Sequence, residues 1–116
     1  MKSVFVELPA FERHRANYLD EEAYRTLQTM LMKDPNACDV IQGAGGLRKV
    51  RFKDEHRNKG KRGGVWVIYY WWLDGAQFWL FTLYGKDVAD GLTKDQKTAL
   101  ARLLKQELVA RRDDET

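Results

Sequence analysis

Apolar positions recur along the chain with two different periods, and the switch between them outlines its elements. Ser3-Val4-Phe5-Val6-Glu7 packs β-branched and aromatic residues into a short run and predicts a strand, which Pro9 ends. Phe11 to Tyr18 predicts a short helix. Asp20 is placed to cap a second one, with Glu21 and Glu22 in a first turn where the helix dipole favours negative charge. In that second helix Tyr24, Leu27 and Leu31, flanked by Ala23 and Met30, recur at three- and four-residue intervals and form one apolar stripe, and Lys33-Asp34-Pro35 stops it. The two helices form a hairpin whose stripe needs an apolar surface to lie on. A sheet built from the later strands is the large one available.

Asn36 to Gly46 reads as a loop, with Asn36, Gly43, Gly45 and Gly46 as breakers. From Leu47 to Phe52 the residues alternate, so that Arg48, Val50 and Phe52 share one face and Leu47, Lys49 and Arg51 the other, as suits a strand near a sheet edge. Lys53 to Arg62 is polar and predicts a loop. Val65 to Leu73 and Phe78 to Tyr84 are apolar on both parities, as inner strands covered on both sides are. Asp74-Gly75 between them signals a hairpin. Two registers compete: a two-residue loop sets Val65 opposite Tyr84, whereas a three-residue loop ending at Ala76 sets Trp66 opposite Tyr84 and Gly64 opposite Lys86. A one-residue slip exchanges every face of a strand, so the choice decides which side chains meet.

Thr93 followed by Gln96 has the spacing of a capping box and opens a final helix, whose stripe is Leu100, Leu103, Leu104 and Leu108. Arg111 to Thr116 is expected to fray. The element order is strand, helix pair, three antiparallel strands, helix. It predicts one α+β domain over residues 1–116, with a sheet of about four strands.

Charge changes this picture most. The chain carries a net +3, but between Gly45 and Gly64 eight lysines and arginines (48, 49, 51, 53, 57, 59, 61 and 62) face only Asp54 and Glu55. That window is therefore +6 and the remainder −3, a concentration of charge that suits a polyanion surface. In either hairpin register Tyr84 and Lys86 come beside Gly63 to Trp66, where the basic loop rejoins the sheet. Cys38 is the sole cysteine and His14 and His56 the sole histidines, so neither an internal disulfide nor a zinc set is expected, and no metal or other cofactor is implied. His14 is expected to face solvent and Cys38 to be structural. With no long apolar run and no signal-like start, a cytoplasmic protein without membrane contact is the expectation.

Four motifs then fall in order: Gly45-Gly46-Leu47-Arg48-Lys49-Val50-Arg51, Gly60-Lys61-Arg62-Gly63-Gly64, Val67-Ile68-Tyr69-Tyr70 and Leu83-Tyr84-Gly85-Lys86. With them, and with the opening Met1 to Glu7 and the approach Asp39 to Gly43, the chain resembles the RelE/HigB toxins of type II toxin–antitoxin systems, most of all the HigB branch. The resemblance implies a RelE-like fold and a metal-independent endoribonuclease (mRNA interferase) that enters the ribosome, cleaves mRNA and so inhibits translation. A cognate helix-turn-helix antitoxin would neutralise it, with operator DNA contacted only through that antitoxin.

Cutting RNA by attack of its own 2′-OH requires a positioned strand, a base, stabilisation of phosphoryl charge and an acid for the leaving 5′ oxygen. Cations supply most of this. Lys86, entering a neighbourhood with Lys59, Lys61 and Arg62, is the candidate base, because surrounding cations disfavour its charged form. Tyr84 is suited to bond a phosphate or stack on a base, and Arg62 to hold charge. Arg48, Lys49 and Arg51 are candidate backbone clamps. The resemblance implies that an arginine is usual where this chain has Trp66, whose face stacks on bases but holds no phosphate charge, so either Arg62 or Arg48 is expected to supply that charge or this member cuts poorly. Two alternatives stand beside this reading: a ParE-like gyrase inhibitor of the same fold, and a toxin relic weakened at Trp66 that acts as antitoxin partner and corepressor.

Overall fold

The structure is a computed structural model that describes residues 4–35, 39–52, 64–72, 76–85 and 92–114, without the side chains of 112–114. Its elements in chain order are β1 (Val4–Glu7), α1 (Pro9–Tyr18), α2 (Glu21–Lys33), β2 (Asp39–Val40), β3 (Arg48–Phe52), β4 (Val65–Trp72), β5 (Gln77–Gly85) and α3 (Lys94–Asp114).

Local chemistry explains most boundaries. Pro9 stands at the first helical position of α1, where its missing N–H costs nothing and its fixed φ suits the helix. The backbone of Leu8 still donates to the Leu80 carbonyl at 2.9 Å, so the sheet ladder runs up to the helix without a gap. Asp20 caps α2, its Oδ1 accepting from the Ala23 amide at 2.7 Å. The capping box of α3 forms in both directions: the Thr93 amide donates to Gln96 Oε1 at 2.8 Å, and the Gln96 amide to Thr93 Oγ1 at 3.1 Å.

The strands form a single five-stranded sheet in the order β1-β5-β4-β3-β2. It differs in two ways from the expected antiparallel sheet of about four strands. β1 runs parallel to β5, with Phe5 opposite Phe78. The loop before the glycine pair also contributes a two-residue edge strand, Asp39 pairing with Lys49 and Val40 with Arg48. So short a strand exists only through its partner and has no sequence period of its own.

Helices cover both faces. On one, Phe11, Leu19, Ala23, Tyr24, Leu27 and Leu31 of the α1–α2 hairpin pack on Val50, Phe52, Val67, Tyr69, Phe78, Leu80 and Leu83. On the other, Leu104 of α3 and the turn residues Ile41, Ala44 and Leu47 pack on Ile68, Trp79 and Phe81, with Leu100 and Leu108 alongside. Leu103 and Met30, expected in the apolar stripes, instead face outward. The final helix continues to Asp114, beyond the expected fraying point. Arg111 explains part of this extension: its guanidinium carbon lies 5.0 Å from the centroid of the Trp79 ring, and Glu107 one turn earlier lies 3.8 Å from its Nε.

The hairpin contains both competing registers. From Trp72 opposite Gln77 to Tyr69 opposite Leu80 it follows the two-residue pairing, and from Ile68 opposite Thr82 to Val65 opposite Gly85 the three-residue pairing. Phe81 is the extra residue between them, a β-bulge on β5. Residues 73–75 and the expected pairing of Gly64 with Lys86 lie outside the described residues.

Candidate nucleic-acid interface

The bulge at Phe81 assembles the candidate site. Without it, strict alternation from Leu80 would send Tyr84 to the helix-pair face. With it, Trp79, Phe81 and Tyr84 belong to the α3 face, and Tyr84 stands opposite Trp66. On the neighbouring strand Arg51 stands opposite Trp66, and Lys49 opposite Ile68. Four residues named from the sequence, Lys49, Arg51, Trp66 and Tyr84, therefore share one face at one end of the sheet. Arg48 does not join them. It stands opposite Tyr69, on the helix-pair parity, as its alternation with Val50 and Phe52 requires.

At this end of the sheet β3 enters, and β4 leaves, the segment 53–63 that carries Lys59, Lys61 and Arg62, and β5 runs into Lys86 directly after Gly85. Those four residues, with His56 and Cys38, lie outside the described residues.

Geometry within the face is specific. The Lys49 ammonium sits 5.0 Å from the Trp66 ring centroid, a cation–π contact running diagonally across the β3–β4 pair. Trp66 is half-buried, and its indole Nε1 is shielded from solvent without a hydrogen-bond acceptor among the described residues. Tyr84 is also half-buried, and burial raises its pKa, so its phenol stays protonated and able to donate at neutral pH. Arg51 is exposed. The surface so formed combines two cations, an aromatic face and a phenolic donor, groups that suit a phosphate backbone and its bases. The Lys49–Trp66 contact was not legible in the chain, because it depends on the β3–β4 register.

Among the described residues no cluster of three or more histidine, cysteine, aspartate or glutamate side chains is arranged to hold a metal ion, and no described helix is long and apolar enough to cross a membrane. The opposite face carries a separate polar cluster. Glu7 on β1 accepts from Arg15 Nε of α1 and from the Tyr24 hydroxyl of α2, both at 3.1 Å. No motif announces it, since its members lie far apart in sequence.

No protein-family model matches the chain. Among solved structures, it is similar to the E. coli toxin RelE, a double-arginine mutant in the free state, at 11% identity and a TM-score of 0.51, over 78% of this chain and 90% of that one. It is likewise similar to a chain of the intact E. coli RelBE toxin–antitoxin complex, at 9% identity and a TM-score of 0.52, over 72% of this chain and 96% of that one. With a helix pair on one face of its sheet and a long C-terminal helix on the other, the chain has the α+β fold of RelE.

Proposed function

We propose that this protein is the toxin of a type II toxin–antitoxin pair and acts as a ribosome-dependent mRNA endonuclease. The observation that carries the reading is the convergence of Lys49, Arg51, Trp66 and Tyr84 on one face of a RelE-like sheet, at the end where the basic segment and Lys86 join it. In this reading Lys49, Arg51, Lys59 and Lys61 hold the RNA backbone and Arg62 holds phosphoryl charge. Lys86 accepts the proton of the attacking 2′-OH, and Tyr84 donates to a phosphate oxygen or stacks on a base. The 2′ oxygen displaces the 5′ oxygen from phosphorus, the departing oxygen takes up a proton from water while Lys86 returns its own to solvent, and the products are a cyclic phosphate on one fragment and a 5′-hydroxyl on the other. Arg48, on the opposite face, is not part of this surface.

The resemblance to a chain of a toxin–antitoxin complex supports a protein antitoxin as partner, and the motif pattern favours the HigB branch and a helix-turn-helix antitoxin. The resemblance also carries a weaker version of the same reading: it implies an arginine at the position of Trp66, and without that charge the protein either cuts slowly or has become an antitoxin partner alone. Expression in a bacterial host decides between them. The enzyme reading predicts growth arrest, relief by Lys86→Ala, and cleavage of translated mRNA while naked RNA stays intact. Arrest with intact transcripts and damaged DNA would overturn it in favour of a gyrase inhibitor. No arrest until Trp66→Arg is introduced would identify the relic.

A further inference from the structure

Trp66 brings no charge of its own, yet it occupies the centre of the cationic face. Its indole N–H is buried without an acceptor among the described residues, an arrangement that costs free energy and gains nothing from the nitrogen. What an aromatic side chain contributes here is its ring face, and that face is occupied by the Lys49 ammonium. Lys49 has an evident alternative, because Asp39 stands directly across the β2–β3 ladder from it. Among the described residues, however, Lys49 makes no ion pair within 4.0 Å and instead leans toward β4. A carboxylate would neutralise the ammonium and use up its donors, whereas a ring face attracts it and leaves its N–H groups available.

We infer that Trp66 is a positioning residue: it draws Lys49 away from Asp39 and holds its ammonium toward the Tyr84 end of the sheet, where it binds a phosphodiester of single-stranded RNA. The cation that an arginine at position 66 would carry is thus supplied from the adjacent strand, with the tryptophan as its support. Lys49, rather than Arg48 or Arg62 alone, restores the missing charge. This inference rests on the nuclease reading for the identity of the anion, but its geometry stands apart from that reading.

The test follows Lys49 in the full chain by NMR and by cleavage. Over an indole face the ε-methylene protons of Lys49 resonate upfield of an ordinary lysine, and a short non-cleavable 2′-O-methyl RNA shifts them further. Trp66→Phe retains part of the upfield shift, and Trp66→Leu abolishes it. In single-turnover cleavage on mRNA-loaded ribosomes, Trp66→Leu lowers the maximal rate roughly three- to fivefold, the scale of a partly exposed cation–π contact, while the half-saturating protein concentration moves less than that. Trp66→Phe recovers much of the loss, and in a Lys49→Ala background Trp66→Leu adds nothing. An equal loss from Trp66→Leu with and without Lys49 would show that the tryptophan works through its own contact with a base, and the inference would be wrong. Unshifted Lys49 protons in the wild-type chain would also overturn it. Wild-type protein that cuts nothing on the ribosome defeats the nuclease reading instead, and the lysine resonances with their response to RNA then decide this inference alone.

Discussion

Trp66 and Tyr84 face each other across β4 and β5 only because β5 holds one residue more than its partner between Ile68 and Tyr69. A strand without that residue would bury Tyr84 under the helix pair and bring Leu83 to the cationic face. The bulge thus sets two things together: which apolar side chains fill each core layer, and whether a phenol stands beside the tryptophan. Bulges re-aim side chains at the cost of one unpaired residue, and here Phe81 offsets part of that cost by burying its ring in the α3 layer.

This pairing is open to a direct chemical check. In a chain with Cys38 replaced by alanine, a Trp66→Cys/Tyr84→Cys pair should oxidise to an intramolecular disulfide, because directly opposed antiparallel residues bring their Cα atoms to about 4.5–5.5 Å, within the span of a disulfide. A Val65→Cys/Tyr84→Cys pair should stay reduced, since those side chains lie on opposite faces. Mass measurement after mild oxidation reads both. A disulfide in the Val65 pair alone would mean that the two-residue register runs the full length of the hairpin.

The turn before β3 should be sensitive to added methyl groups in a graded way. Gly46 has φ +111, and a Cβ there would sit 3.4 Å from Tyr70 Cε1, whereas Gly43, at φ +80, has open space around it. Both positions disfavour any L side chain, but only Gly46 adds a steric contact to the conformational cost. Gly46→Ala is expected to lower stability by about 2–3 kcal/mol and Gly43→Ala by about 1 kcal/mol, measured as shifts in the urea midpoint. Equal effects would show that Tyr70 yields freely and that the tight packing is immaterial.

Both interactions of the α3 capping box are also measurable. Thr93→Ala removes the acceptor for the Gln96 amide and is expected to cost about 1 kcal/mol. Gln96→Ala should cost less, since the Thr93 amide it leaves is exposed and water can satisfy it. The pair separates by denaturant midpoint, and a larger effect at Gln96 would mean that the helix start relies on a contact other than its cap.

Features whose causes lie within one element were readable from the chain: the Asp20 cap, the Tyr24-Leu27-Leu31 stripe and the Thr93–Gln96 box each need only a few neighbouring residues. The separation of Arg48 from Lys49 and Arg51 was readable for the same reason, as simple alternation along one strand. Features that depend on a partner were not. Asp39–Val40 becomes a strand only because β3 offers a ladder, and the parallel docking of β1 on β5 arises from the crossover. The bulge is hidden because residues 78–81 are apolar on both parities, so no break in pattern marks the doubled residue. Charge concentration pointed to Lys49, Arg51 and Tyr84 as a neighbourhood, but the Lys49–Trp66 contact required the register of two strands to be known.

On the far side of the sheet, Tyr24 predicts how stability should vary with pH. Its hydroxyl donates to Glu7 Oε2, and its pKa lies well above the ordinary phenol value of 10.0, chiefly through burial, then through the Glu7 charge and that hydrogen bond, against a smaller opposing pull from Arg15. A raised phenol pKa means that the native state holds the proton after the unfolded chain has released it. The stabilisation is therefore complete below about pH 10 and declines as pH rises from there toward the native value. Tyr24→Phe removes the donor to a carboxylate that keeps its Arg15 partner, and is expected to cost about 1–2 kcal/mol at pH 7. Above pH 10 the gap between wild type and variant should narrow, because the wild type loses the contribution that the variant never had. Urea denaturation of both chains from pH 7 to 11 measures that gap, and a difference that stays constant or widens with pH would show that the Tyr24 proton is not retained on folding.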